Sequence, residues 1–278
     1  MKAVTIEPPT ASLPRTDENA PYQPDERMRW GLWDATIGIL VFLGLILAGG
    51  LLVALTPLGA TAMENLDLAN FVAALVAYAA LGAVVVLAAR KGLGSVAKDF
   101  GFRIKPIDLA VGLGIGIAVK IVSVVLTGIV VAVSADPPTT GNLVVSDESL
   151  WVLLNAVVIA VIVAPILEEL FFRGLVLRAV YNTVVRWRGR PQPADVPTQF
   201  RAVWVSILVS GLAFTALHLY QSTNVALLVI LGLSTLLLGV ANGFLAIRTG
   251  RLGAAIVAHV VFNGSGVASA LLLRALTG

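Results

Sequence analysis

The sequence contains no cysteine and only two histidines in 278 residues. The missing cysteine excludes a disulfide framework, a thiolate zinc site and a cysteine nucleophile. Any catalysis must come from Glu, His, Ser or a metal held by nitrogen and oxygen. Charge is scarce too: 13% of residues are Asp, Glu, Lys or Arg, against about 25% in a soluble domain, which excludes an ordinary cytosolic enzyme. A net charge of +3 and a pI near 9.4 would suggest anionic partners for a soluble protein. Here the basic residues fall in short loops between apolar runs, where they set membrane orientation, so no nucleic-acid partner is expected.

Apolar residues make up 58% of the chain and the mean hydropathy is +0.93. Apolar segments run over 35–57, 68–89, 108–134, 151–178, 203–220, 224–247 and 252–275, each long enough to cross a hydrocarbon core about 30 Å thick. The expected fold class is all-α, a polytopic transmembrane helix bundle of about seven spans or eight helices. Loop charge supports the count. The 58–67 and 135–150 loops carry acids but no base and the 219–223 turn is uncharged, whereas the loops between them hold Arg90, Lys91, Lys98, Arg103 and Lys105, then Arg186, Arg188, Arg190 and Arg201, then Arg248 and Arg251. By the positive-inside rule the basic loops and the N-terminus face the cytoplasm, and the expected location is the cytoplasmic membrane of a bacterium. Residues 1–30, with Pro8, Pro9, Pro14, Pro21 and Pro24 among polar residues, read as a disordered tail ahead of a transmembrane domain over 31–278. The tail lacks the apolar core of a secretory signal. Gly112-x-x-x-Gly116 and Gly239-x-x-x-Gly243 read as close helix packing in lipid.

An ionisable group inside a span costs about 2.5–3.5 kcal/mol or more, which makes each one a functional candidate. The fourth segment carries Glu168, Glu169 and Arg173, the fifth ends in Phe214-x-x-x-His218, and the seventh holds His259-x-x-x-Asn263. Glu169 and Arg173 are four apart and form a favourable intrahelical pair. Glu168 is then left unpaired, about 100° round the helix, free to face a cavity as a general base. His259 and Asn263 share a helix face and can donate two hydrogen bonds to a developing oxyanion. Glu168, His218 and His259 can alternatively hold zinc with water in the fourth position.

These motifs, Glu168-Glu169-x-x-x-Arg173, Phe214-x-x-x-His218 and His259-x-x-x-Asn263, in that order over about residues 100–275, resemble the CPBP family. Its members are the CAAX protease and bacteriocin-processing intramembrane proteases, also called Abi, which include the type II CAAX prenyl endopeptidases. The resemblance implies an intramembrane endopeptidase acting on a membrane-associated, prenylated or bacteriocin-like peptide. Glu168 with His218 would activate water, His259 with Asn263 would stabilise the oxyanion, and Glu169, Arg173 and Phe214 would complete and shape the site. The family is described both as metalloproteases and as metal-free glutamate proteases. The sequence has no His-Glu-x-x-His, and the reading leans to the metal-free chemistry, with zinc as the alternative cofactor. The expected partners are the bilayer and a peptide or lipidated-protein substrate. A proton-coupled transporter, for which Lys120 in the third span would serve, and a non-catalytic immunity protein are the rival readings.

Depth poses a problem. From Arg201 a straight helix puts His218 roughly 25 Å in, while His259 is only about 12 Å from Arg251. Either residues 201–206 lie along the interface before the span turns inward, which Arg201 and Trp204 favour as interfacial anchors, or tilted helices line a deep water-filled funnel.

Overall fold

The computed structural model describes residues 21–25, 27–55, 65–135, 149–187 and 196–277. Within them there are eight helices and no strand. These are α1 (Leu32–Leu55), α2 (Leu66–Ala89), the short α3 (Val96–Phe100), α4 (Pro106–Val133), α5, α6 (Val196–Ala216), α7 (Val225–Thr249) and α8 (Gly253–Thr277). Helix α5 is one rod of five stretches: Leu150–Leu154, the π-helical Asn155–Val163, Ala164–Glu168, the π-helical Glu169–Val176, and Leu177–Trp187. Seven helices are long and apolar enough to cross a membrane. Their outward faces are apolar, with Leu40 62%, Val124 60% and Leu273 63% exposed, the inverse of a soluble protein and suited to lipid. The chain is a multi-pass integral membrane protein.

Small residues set the close crossings. A Cβ on Gly112 would lie 2.7 Å from the Ala254 carbonyl oxygen, and one on Gly116 2.7 Å from that of Ala258, so α4 meets α8 almost backbone to backbone, as small-xxx-small spacing allows. The second pair acts likewise between α6 and α7: Gly239 faces the Gly211 backbone, and Gly243 faces Ile207 and Leu177.

Polar groups tie the basic end together. Asp108 accepts from the Lys105 backbone N–H at the start of α4 and forms a two-pronged pair with Arg251, at 2.8–3.1 Å. Arg178 donates to the carbonyls of Asp99 and Gly250, which the left-handed Gly101 (φ 68°) and Gly250 (φ 65°) help to present. The buried Asp99 carboxylate accepts from Trp30 Nε1 and the Leu93 and Ser95 N–H groups.

This layer also captures part of the expected tail. Residues 1–20 lie outside the described residues, but the 21–30 part is not free chain. Tyr22 N–H donates to the Ile247 carbonyl and its hydroxyl to Asn182 Oδ1 at 2.9 Å, and Tyr22, Met28 and Trp30 are all buried. Three large apolar side chains among the prolines supply the anchoring surface that the composition obscured.

Candidate active site

Site geometry starts at Pro165. A proline inside a helix has no N–H to donate and crowds the preceding turn. Here the preceding stretch, Asn155–Val163, is widened to π-helix, and Ala164 donates to the Ile159 carbonyl five residues back. The next donor in that register would be residue 165, so proline leaves the Ala160 carbonyl without its partner. Asn263 on α8 supplies one, its Nδ2 donating to that oxygen at 2.8 Å. The side chain expected at an oxyanion thus joins α8 to α5.

One turn on, α5 widens again over Glu169–Val176; such widened turns are common at functional sites. Glu169 is fully buried, and its Oε1 gathers three partners: Asn242 Nδ2 at 2.9 Å, His259 Nδ1 at 2.9 Å and Arg173 at 3.1 Å. The expected Glu169–Arg173 pair is therefore present. The Arg173 guanidinium also lies over the Phe214 ring, 4.5 Å from its centroid, in cation–π contact. Glycine at 239 makes room for it, because a Cβ there would sit 3.3 Å from an Arg173 terminal nitrogen.

Glu168 faces a cavity, as expected, but it is not unpaired. Tyr78 on α2 donates its hydroxyl to Oε1 at 2.8 Å, and His259 Nε2 lies 3.6 Å from Oε2. The carboxylate is 7% exposed. It lines a small pocket with Tyr78, Phe172, His218 and Tyr220. His218 follows the last turn of α6, and its Nδ1 is 2.8 Å from the Phe214 carbonyl. A carbonyl can only accept, so Nδ1 carries the proton and Nε2 is the nitrogen left to the pocket. The Phe214 ring packs on His218 at 4.4 Å and on His259 at 5.6 Å between centroids.

Two histidines expected at different depths thus border one aromatic ring. Helix α6 is continuous from Val196 to Ala216, so residues 201–206 do not form a separate interfacial segment. Phe214 is about 20 Å along the helix from Arg201, whereas His259 is about 12 Å from Arg251. Helix α5 likewise runs on to Trp187, past the expected end at 178. The imidazole of His218 turns back to the Phe214 carbonyl, four residues earlier, and both histidines meet the Phe214 ring.

Among the described residues no three His, Asp or Glu side chains are grouped as metal ligands. Glu168, His218 and His259 are not such a group, and His259 Nδ1 is committed to Glu169. As arranged, these side chains do not fit a shared zinc ion. Lys120 lies over Phe262, Nζ 4.6 Å from the ring centroid, in cation–π contact.

Sequence reasoning passed over Tyr78, Asn242 and Tyr220. Asn242 had a usable signal, since it is a lone amide in an apolar span. The tyrosines had none, because aromatic residues are ordinary in membrane helices. The family model described as Type II CAAX prenyl endopeptidase Rce1-like matches residues 149–265. No curated protein and no solved structure matches the chain. The matched segment runs from the start of α5 to just past Asn263 and includes all three motifs, so over residues 149–265 the chain is similar to the Rce1-like endopeptidases.

Proposed function

We propose that the protein is a CAAX-type intramembrane endopeptidase that hydrolyses a peptide bond in a membrane-associated peptide or lipidated protein. The observation that carries this reading is the setting of Glu168: a carboxylate inside an apolar bundle, at a pocket, with an imidazole of His218 beside the same pocket and His259 3.6 Å from its Oε2. A separation of 3.6 Å is too long for a direct hydrogen bond but lets one water reach both atoms at ordinary distance. In this reading Glu168 Oε2 takes a proton from that water as its oxygen attacks the scissile carbonyl carbon. The C–N bond then breaks, and the proton passes to the departing amine. His218 Nε2, the unprotonated nitrogen, is placed to relay it. Glu169, held by Asn242 and Arg173, fixes the tautomer and orientation of His259, the role of a buried carboxylate behind a histidine. The family match at 149–265 supports the reaction class.

Purified protein in detergent or liposomes should cleave a membrane-associated peptide, and Glu168→Ala and His218→Ala should each abolish cleavage while the fold is retained. Comparative peptidomics of cells with wild type and Glu168→Ala would name the substrate. Substrate-dependent proton flux without any proteolysis would refute the peptidase and favour a transporter.

A further inference from the structure

Outside the matched segment, one group touches the reacting carboxylate. Tyr78 belongs to α2, more than seventy residues before the match begins. Its hydroxyl donates to Glu168 Oε1 at 2.8 Å, its ring borders the same pocket, and the ring packs against Phe42 of α1 at 6.3 Å between centroids. A half-buried hydroxyl directed at a carboxylate in an apolar span is costly to place unless both partners are satisfied, and here the two satisfy each other.

We propose that Tyr78 is a positioning residue of the site: by holding Glu168 Oε1, it leaves Oε2, the oxygen nearer His259, as the atom that takes the proton from water. This rests on the peptidase reading above. It follows that the working site is not contained in the Rce1-like segment, and that α2 contributes to it across the helix interface. A hydroxyl bonded to one carboxylate oxygen fixes the rotation of the whole group. Without it, Oε1 and Oε2 can exchange places and the attacking water loses its fixed register, an effect on reaction geometry more than on binding.

The test is steady-state kinetics of the full chain in liposomes. Tyr78→Phe should lower kcat by about 10–100-fold with KM within about twofold, the pattern of a lost transition-state interaction. Phe71→Leu, on the same helix but packed against Trp151, should leave kcat unchanged and so controls for general loosening of α2. Wild-type kcat in Tyr78→Phe would overturn the proposal. Should Tyr78→Phe fold poorly, fluorotyrosine at position 78 keeps the shape and alters only the donor strength of the hydroxyl; kcat should fall at constant KM, and an unchanged kcat again overturns the proposal. Infrared carboxylate bands, assigned to Glu168 by difference from Glu168→Gln, give a readout independent of turnover. They should move in Tyr78→Phe, and bands that stay put refute the contact. A wild type that cleaves nothing while the bands move would bring down the peptidase reading and leave the Tyr78–Glu168 bond standing.

Discussion

Replacing Asn263 by alanine separates two roles for this side chain. The amide donates to the Ala160 carbonyl, which lacks a helical partner because the next donor in the π register is Pro165. Removing the amide leaves a buried acceptor unsatisfied, a loss of about 1–3 kcal/mol in general, while hydrogen bonds between membrane helices measure about 0.6 kcal/mol on average and about 1.7 at most. We expect Asn263→Ala to destabilise by about 1–2 kcal/mol. Pro165→Ala restores an N–H that can reach the same carbonyl, so in that background the Asn263→Ala cost should shrink, giving a coupling of about 1 kcal/mol in the double-mutant cycle. The assay is equilibrium unfolding of the four proteins in mixed micelles, with peptide cleavage measured alongside. Equal costs in both backgrounds, within about 0.3–0.5 kcal/mol, would refute the carbonyl argument. A loss of about 10²–10³ in kcat with no change in stability would assign Asn263 to the oxyanion instead.

Gly116→Val should destabilise by about 1–3 kcal/mol through overpacking, since its Cβ would lie 2.7 Å from the Ala258 carbonyl oxygen and 2.8 Å from Val261 Cβ; an unchanged unfolding midpoint would refute the close α4–α8 crossing. Burial pushes the Tyr22 phenol from 10.0 up to about 12, with Arg178 acting the other way. A raised folded-state value means that this contribution to stability is complete below pH 10 and is lost as pH rises through about 12. Alkaline unfolding in that window should be reduced in Tyr22→Phe, and identical profiles would show that the 21–30 segment is not anchored through that hydroxyl.

The spans were legible because a run of about 20 apolar residues has few alternatives, and the loop charges fixed their alternation. The ion pair of Glu169 and Arg173 was legible from spacing alone, as was the packing role of both glycine pairs. What spacing could not give was which oxygen faces what. Glu168 read as unpaired because its partner, Tyr78, comes from a helix ninety residues away, and no helical periodicity reports a contact between spans. Asn263 read as a neighbour of His259 because both share a face of α8, yet both turn towards α5 at different levels, one to Glu169 and one to Ala160. The local signal for that division was Pro165, whose missing N–H creates the demand Asn263 meets. The depth problem arose from taking Arg201 as the start of the span, when α6 already begins at Val196.

The polar chain from Asn242 through Glu169, His259 and Glu168 to Tyr78 draws on α2, α5, α7 and α8. During biosynthesis these helices emerge in order, and His259 arrives with the last of them. A nascent chain halted before α8 therefore has Glu168, Glu169 and His218 in place but lacks His259, the link between the two carboxylates. The polar chain thus closes only once α8 has packed against α5 and α7.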